Sequence, residues 1–584
     1  MKAIKFITLI SILVLVSACE SIIKETYYGK TSGQFFVTEA DALASITGAY
    51  GQLQGYDYYG DYYWRTVEGA GGAVVLNVPT GTWNPIILKN YTSAGGPIKV
   101  LWAAMYNSIK VANNVIENVP GMQINETVKK TIQGEALFLR GMDYFNLVRL
   151  WGPVPIHLTF IPALNKDMVR EPINVVYQRI IDDLTLAASL LPETQSYKGR
   201  ATKGAAYALL AKVYLTAASM KKHSGNKDGN YNFVTDEQAY YKLAKEYCQK
   251  VTDLNQYKLV DDYMKQFPIC FALDGTVNTA GFENSKESIF EIQLSTASAS
   301  SDLPMQLLPY SKQSIKLVNG IYQLVTGAAT VRGGGYSYND QGWGQFRISQ
   351  LMFDDFYAAH AIIDPVDSTK TIVDYRLDIS FLGGSTGHVR SWKKGVRLPT
   401  DTLFTYPLPN SKRPPMDIDQ MWPYLAKYQD YNAPSVNQHG SNFIYLRYAD
   451  VLLMQAEAEN ELNDQASATL HLNELMKRAR KADKGIDNTR LQPADYSSGL
   501  SQDSLRNAIW NERRFELMGE VHLWYDLVRT GRYLDYMKRF NDIEFVRDTK
   551  SFQKWDVEER NLLFPIPQNE MILNKKFYQN PGHN

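Results

Sequence analysis

From Leu446 to Arg480 the chain reads LRYADVLLMQAEAENELNDQASATLHLNELMKRAR, two runs of helical periodicity joined by Leu-Asn-Asp. Ala449, Ala456, Ala466 and Ala468 stand where two antiparallel helices need to approach closely. A helix with one apolar stripe must bury it, and helices joined this tightly cover only part of each other, so further pairs must stack alongside. The same reading predicts pairs at 127–151 with 173–191, 201–218 with 236–253, 443–462 with 465–481 and 503–518 with 520–537. In VVYQRIIDDLTLAASLLPE, for example, Tyr177, Ile180, Ile181, Leu184, Ala187 and Leu191 share one stripe and Pro192 ends it. The expected fold class is mainly α: tetratricopeptide-like helix pairs forming a right-handed solenoid core, about 101–255 and 441–540.

Two long segments interrupt the pairs and are expected to build a ligand-binding face from irregular loops. Residues 51–98 include GYDYYGDYYWRTVEGAGG, with six aromatics among the nine residues from Tyr56 to Trp64. Residues 285–440 are rich in Gly, Ser, Pro and Tyr and include RGGGYSYNDQGWGQF, Arg332 to Phe346. Long ordered loops on a helical scaffold usually carry function. Two helical stretches also echo each other. EALFLRGMDYFNLVRLWG and ERRFELMGEVHLWYDLVRTG both end in an aromatic, Asn or Asp, Leu-Val-Arg, then Gly.

The first residues, MKAIKFITLISILVLVSAC, place Lys2 and Lys5 before an apolar run from Phe6 to Val16, then Ser17, Ala18 and Cys19. That run falls short of the roughly 20 residues needed to span a bilayer, and it reads as a secretory signal. Its LVSAC ending is similar to a bacterial lipobox, so residues 1–18 are expected to be removed and Cys19 acylated. Residues 19–36 then form the anchor and tether, and 37–584 a single domain. Several acyl chains give stable attachment to a membrane. The pairing of Cys248 and Cys270 stays open; Cys248 lies in a helical pattern that suits a buried thiol.

The segment NERRFELMGEVHLWYDLVRTGRY, Asn511 to Tyr533, holds the one dense set of acid/base candidates: Glu512, Glu516, His522 and Asp526. Glycosidases place two carboxyls roughly 5–9 Å apart on opposite sides of the scissile bond. Glu512 and Glu516, four apart, share one helix face. They are expected to be structural, with Arg513–Glu516 and His522–Asp526 tying adjacent helices, and no catalytic residue is assigned. The sequence has no nucleophile elbow, Walker loop or HExxH motif, and its eight histidines are scattered, so no metal site is assigned. Lys+Arg and Asp+Glu balance at 61 each, which argues against a nucleic-acid partner.

The aromatic loops remain. A pyranose offers an apolar C–H face ringed by hydroxyls, and binding it takes flat rings flanked by amides or guanidinium groups. The expected ligand contacts are Tyr62, Tyr63, Trp64, Arg65, Trp83, Asn84, Tyr336, Tyr338, Asn339 and Trp343.

Five ordered motifs now bear on the chain as a whole: LWAAMYNSIKVANNVIENV (with Trp102, Tyr106 and Asn113), EALFLRGMDYFNLVRLWGPVPI, YLRYADVLLMQAEAENEL, NERRFELMGEVHLWYDLVRTG and LLFPIPQNEMILNKKFYQNPG. With the lipobox they make the chain resemble the SusD/RagB family of outer-membrane nutrient-binding lipoproteins over nearly its whole length. The resemblance implies a non-catalytic protein on the cell exterior, lipid-anchored in the outer membrane, that captures an oligosaccharide and acts as a lid on a SusC-like TonB-dependent transporter. Peptide capture is the alternative within the family; a glycan hydrolase on a helical scaffold, or a subunit that only plugs the transporter, are others. It places ligand contacts in the early loop (Trp64, Trp83, Asn84) and the later insertion (Tyr336, Tyr338, Trp343). No cofactor is required, and a structural Ca²⁺ is compatible.

Overall fold

Helix starts and stops are set by local chemistry. The computed structural model describes residues 35–76, 83–160, 168–223, 233, 235–267, 283–296, 313–318, 321–326, 346–381, 388–393, 396–405, 425–428, 439–480, 490–547 and 557–583. Helix α1 (Glu39–Leu53) opens on a capping box, in which Thr38 Oγ1 accepts from the Asp41 N–H at 3.3 Å and Asp41 Oδ2 from the Thr38 N–H at 2.8 Å. Next come α2 (Tyr62–Gly71) and α3 (Gly96–Asn118), which carries Pro97 in its first turn. Helix α4 (Glu126–Trp151) is capped by the Asn125 side chain, which accepts from the Thr127 and Val128 N–H groups. It packs against α5 (Ile173–Leu190) so closely that a Cβ on Gly134 or Gly141 would lie 2.9 Å from Leu191 or 3.0 Å from Leu184.

Then follow α6 (Lys203–His223), α7 (Glu237–Asp253), α8 (Gln350–Ala359), α9 (Tyr448–Glu461) and α10 (Gln465–Ala479). Helices α4 with α5, α6 with α7, and α9 with α10 pack as pairs, and the pairs touch in order, α5 on α6 and α7 on α9. Three of the four expected pairs are therefore present. The fourth is three helices, α11 (Gln502–Glu516), α12 (Leu523–Arg529) and α13 (Tyr533–Arg547). The chain breaks at Gly519 and Val521, both with positive φ, and again at Gly531.

Every residue of α9 is buried. Its acids are matched by neighbours: Asp450 by Lys212 at 2.9 Å, Glu459 by His471 at 2.8 Å, and Glu457 by Arg529. Buried charge survives only when paired in this way. Cys248 is a free, buried thiol on α7, whereas Cys19 and Cys270 lie outside the described residues.

Two short antiparallel ladders fasten the interruptions to this core. Strand β1 (Val74–Leu76) pairs with β3 (Phe346–Ile348), and β2 (Ser288–Ile292) with β4 (Phe443–Arg447). The long insertion therefore leaves and re-enters the helical core at one ladder. Part of it is not irregular, as expected, but paired into hairpins: 313–318 with 321–326, 362–363 with 371–372, and 388–393 with 396–405. No helix among the described residues is long and apolar enough to cross a membrane.

Candidate functional site

Residues 56–64 form two turns. Tyr56–Gly60 is a wide turn kinked at Tyr58 (φ −125°, ψ −117°), and α2 follows. The period of these turns sends Tyr58, Tyr59, Tyr63 and Trp64 inward. Their polar tips are satisfied there: Tyr58 donates to Asp143 Oδ1 at 2.7 Å, Asn146 Nδ2 donates to the Tyr59 hydroxyl at 2.8 Å, Tyr63 donates to Asn146 Oδ1 at 3.1 Å, and Trp64 Nε1 donates to the Gly519 carbonyl at 3.3 Å. Burial pushes the phenols of Tyr58, Tyr59 and Tyr63 well above their ordinary range. The expectation that Tyr63 and Trp64 present faces to a ligand is therefore corrected, since both are 1% exposed core rings.

Arg65 is also internal. Its Nε lies 2.5 Å from Asp61, and its guanidinium carbon lies 4.9 Å from the Trp83 ring centroid and 5.6 Å from that of Phe346. It braces Trp83 from behind instead of meeting a ligand.

What remains outward is a smaller set. Tyr62 and Trp83 are half-buried, with centroids 4.9 Å apart and planes at 62°. Tyr56, 51% exposed, stands edge-on to Tyr62 at 5.6 Å. Trp83 backs onto Phe346 at 6.3 Å, which stacks edge-on with buried Trp64 at 5.7 Å. A row of rings thus runs from the core to the surface. The expectation omitted Tyr56, although the same helical period that turns Tyr59 and Tyr63 inward leaves Tyr56 and Tyr62 on the outer side.

Pairing of Leu76 with Phe346 brings the two loop regions to the same end of the β1–β3 ladder. Of the expected contacts in the second region, Tyr336, Tyr338, Asn339 and Trp343 lie outside the described residues. Asn84 begins the one-turn helix Asn84–Ile87 that follows Trp83.

The charged stretch 511–533 is enclosed. Glu512 and Glu516 are fully buried. Glu512 accepts from Arg376 at 2.6 Å and Tyr496 at 2.8 Å and faces His360 Nε2 at 2.6 Å. Burial raises its pKa, but Arg376 and His360 outweigh this and pull it down to about 2. Glu516 meets Arg376 at 3.0 Å, Arg447 at 2.8 Å and Arg478; against the upward push of burial, the three arginines hold it well below the carboxylate range. Asp526, likewise opposed by burial, is drawn to about 2 by Arg513 and Arg529. His522 is held neutral by burial, with Lys212 nearby. A general acid or base needs a pKa near working pH and reach to substrate; these groups have neither.

The expected Arg513–Glu516 pair is corrected, whereas His522 and Asp526 do act on each other electrostatically. Arg513 binds Asp450 at 3.1 Å and Asp526 at 2.9 Å, and Glu516 takes its arginines from distant segments. Among the described residues, no group of three or more His, Cys, Asp or Glu side chains is arranged to hold a metal ion.

Comparison with known proteins completes the picture. Residues 286–583 match the model of the SusD family, and residues 38–215 match a SusD-like model described as starch-binding and associating with the outer membrane. The chain is similar to SusD-like protein P2 of Formosa agariphila, 28% identical over 99% of each chain. It shares its fold with a SusD homolog from Bacteroides thetaiotaomicron (22% identity, TM-score 0.70, covering 95% of this chain and 99% of that one). A surface glycan-binding protein A from Bacteroides fluxus is another structural neighbour (20% identity, TM-score 0.63, covering 94% and 100%). The chain belongs to the SusD family of glycan-binding, outer-membrane-associated proteins, which bind their ligands and do not catalyse.

Proposed function

We propose that the chain is a cell-surface lipoprotein, anchored in the outer membrane through acylated Cys19, that captures an oligosaccharide and hands it to a SusC-like TonB-dependent transporter. The observation that carries this reading is the outward aromatic row Tyr56, Tyr62 and Trp83, braced by Arg65 and Phe346 on the helical core. Rings held edge-to-edge at a surface offer hydrophobic platforms to the C–H faces of successive sugar units. In the same proposal the stacked pairs form a right-handed solenoid that acts as a rigid support. Asn84, Tyr336, Tyr338, Asn339 and Trp343 supply further contacts.

Calorimetry against an oligosaccharide panel tests the reading. Wild-type protein should bind at least one member, and the double variant Y62A/W83A should lose about tenfold or more in affinity, at about 1 kcal/mol per ring. Unchanged affinity in the double variant, or binding of peptides with no glycan bound, overturns it.

A further inference from the structure

A second cleft lies on other elements of the molecule. It is a cavity of about 230 Å³ between the α5–α6 connection, the chain after α7, and β2. That is smaller than the roughly 300–1,000 Å³ of sites enclosing drug-sized ligands, so it suits one sugar ring better than an extended chain.

Its floor is fixed by polar groups already committed to one another. The Asn284 and Gln293 side-chain amides exchange hydrogen bonds at 2.9 and 3.0 Å. Glu291, 2% exposed, accepts from the Asn284 N–H at 3.1 Å and from Asn442 Nδ2 at 3.0 Å. The turn above this floor needs Gly199, which has φ +77° and where a Cβ would fall 2.2 Å from the Gln293 side chain.

The rim differs. Lys198, Lys286 and Gln256 make no side-chain hydrogen bond or ion pair among the described residues. Tyr197 is 74% exposed and its ring stacks on nothing there. The charged residues of the lining are Lys198, Arg200 and Lys286 against Glu193 and buried Glu291, an excess of one cation; Arg200 is tied to Glu135, which leaves the two exposed ammonium groups at the mouth. A rigid polar floor beneath uncommitted donors, with a bare tyrosine ring at the edge, matches a pyranose that carries a carboxylate.

We infer that this cleft is a second carbohydrate subsite that takes a single acidic pyranose, a uronate, with Tyr197 under the ring and Lys198 and Lys286 on its carboxylate. It is independent of the aromatic row described above.

The test uses the full chain in detergent, titrated with glucuronate and with glucose by saturation-transfer NMR and calorimetry. Glucuronate should bind more tightly than glucose, should lose about tenfold in Y197A and in K198M/K286M, and should be unaffected in Y62A/W83A. Absence of glucuronate binding, equal affinity for glucose, or full affinity in the Y197A and lysine variants overturns the subsite. Loss of glucuronate binding in Y62A/W83A also overturns it, because the sugar then sits on the aromatic row; the proposed function would stand. Retained glucuronate binding with no oligosaccharide bound would sink that function and leave the subsite.

Discussion

The two echoed motifs, Tyr144–Arg149 and Trp524–Arg529, place an Asn and an Asp at matching positions, each followed three residues later by an arginine. Asn146 gathers uncharged phenols. Its Oδ1 accepts from Tyr63 at 3.1 Å, Tyr445 at 3.2 Å and Arg149 at 2.6 Å, while its Nδ2 donates to Tyr58 at 3.0 Å and Tyr59 at 2.8 Å. Asp526 gathers guanidinium groups instead, Arg513 at 2.9 Å and Arg529 at 2.8 Å. An amide both donates and accepts, so it can organise hydroxyls; a carboxylate only accepts and needs cations. The motifs meet where Arg149 lies 3.7 Å from the Tyr525 ring centroid. One local pattern thus organises a phenol-rich hub behind the outward aromatic row and a carboxylate–guanidinium hub deep among the C-terminal helices.

The sharpest way to break this comparison is D526N. Buried Arg513 and Arg529 then each lose one of two carboxylate partners, keeping Asp450 and Glu457, and chemical denaturation should show about 3 kcal/mol of lost stability, the low end for breaking a buried pair. A smaller effect should appear on acidification. Asp526 and Glu512 titrate near 2 when folded, below their unfolded values of 3.8 and 4.5. A depressed folded pKa contributes stability that is present above the unfolded value and lost as pH falls through the folded one. Each group should therefore give up about 2–3 kcal/mol between about pH 4.5 and pH 2, and D526N should remove its share of that slope. N146A leaves four phenols and the Arg149 guanidinium each short of one partner, none of which titrates between about pH 4.5 and pH 2, so its cost should be about 1–3 kcal/mol and flat across the same pH range. A pH-dependent loss in N146A would erase the distinction between the hubs. Smallest for folding is W83A, which removes a half-buried ring and should lower the melting temperature only slightly while weakening glycan binding by about 1 kcal/mol in calorimetry.

Helix positions were legible because apolar spacing is local, and three of the four expected pairs lie where that spacing puts them. The fourth was hidden by the left-handed backbone at Val521, which no periodicity marks for a β-branched residue. For the candidate site, composition drew attention to residues 56–65 but could not separate rings that support the face from rings that form it. Tyr63, Trp64 and Arg65 became internal because Asn146, Gly519 and Asp61 receive them, and the first two of these partners lie far away in sequence. The partners of Glu516 were illegible for the same reason: Arg376 and Arg447 arrive from segments well separated along the chain.

The neighbouring strands β2 and β4 give the long insertion a consequence for descent. Stretches between its anchors can change length at little cost, because the entropic cost of closing a loop rises only slowly with its length. The insert as a whole is not freely exchangeable, since His360 and Arg376 reach from it into the buried cluster around Glu512 and Glu516. Variation within a lineage is therefore confined to what lies between those fixed points.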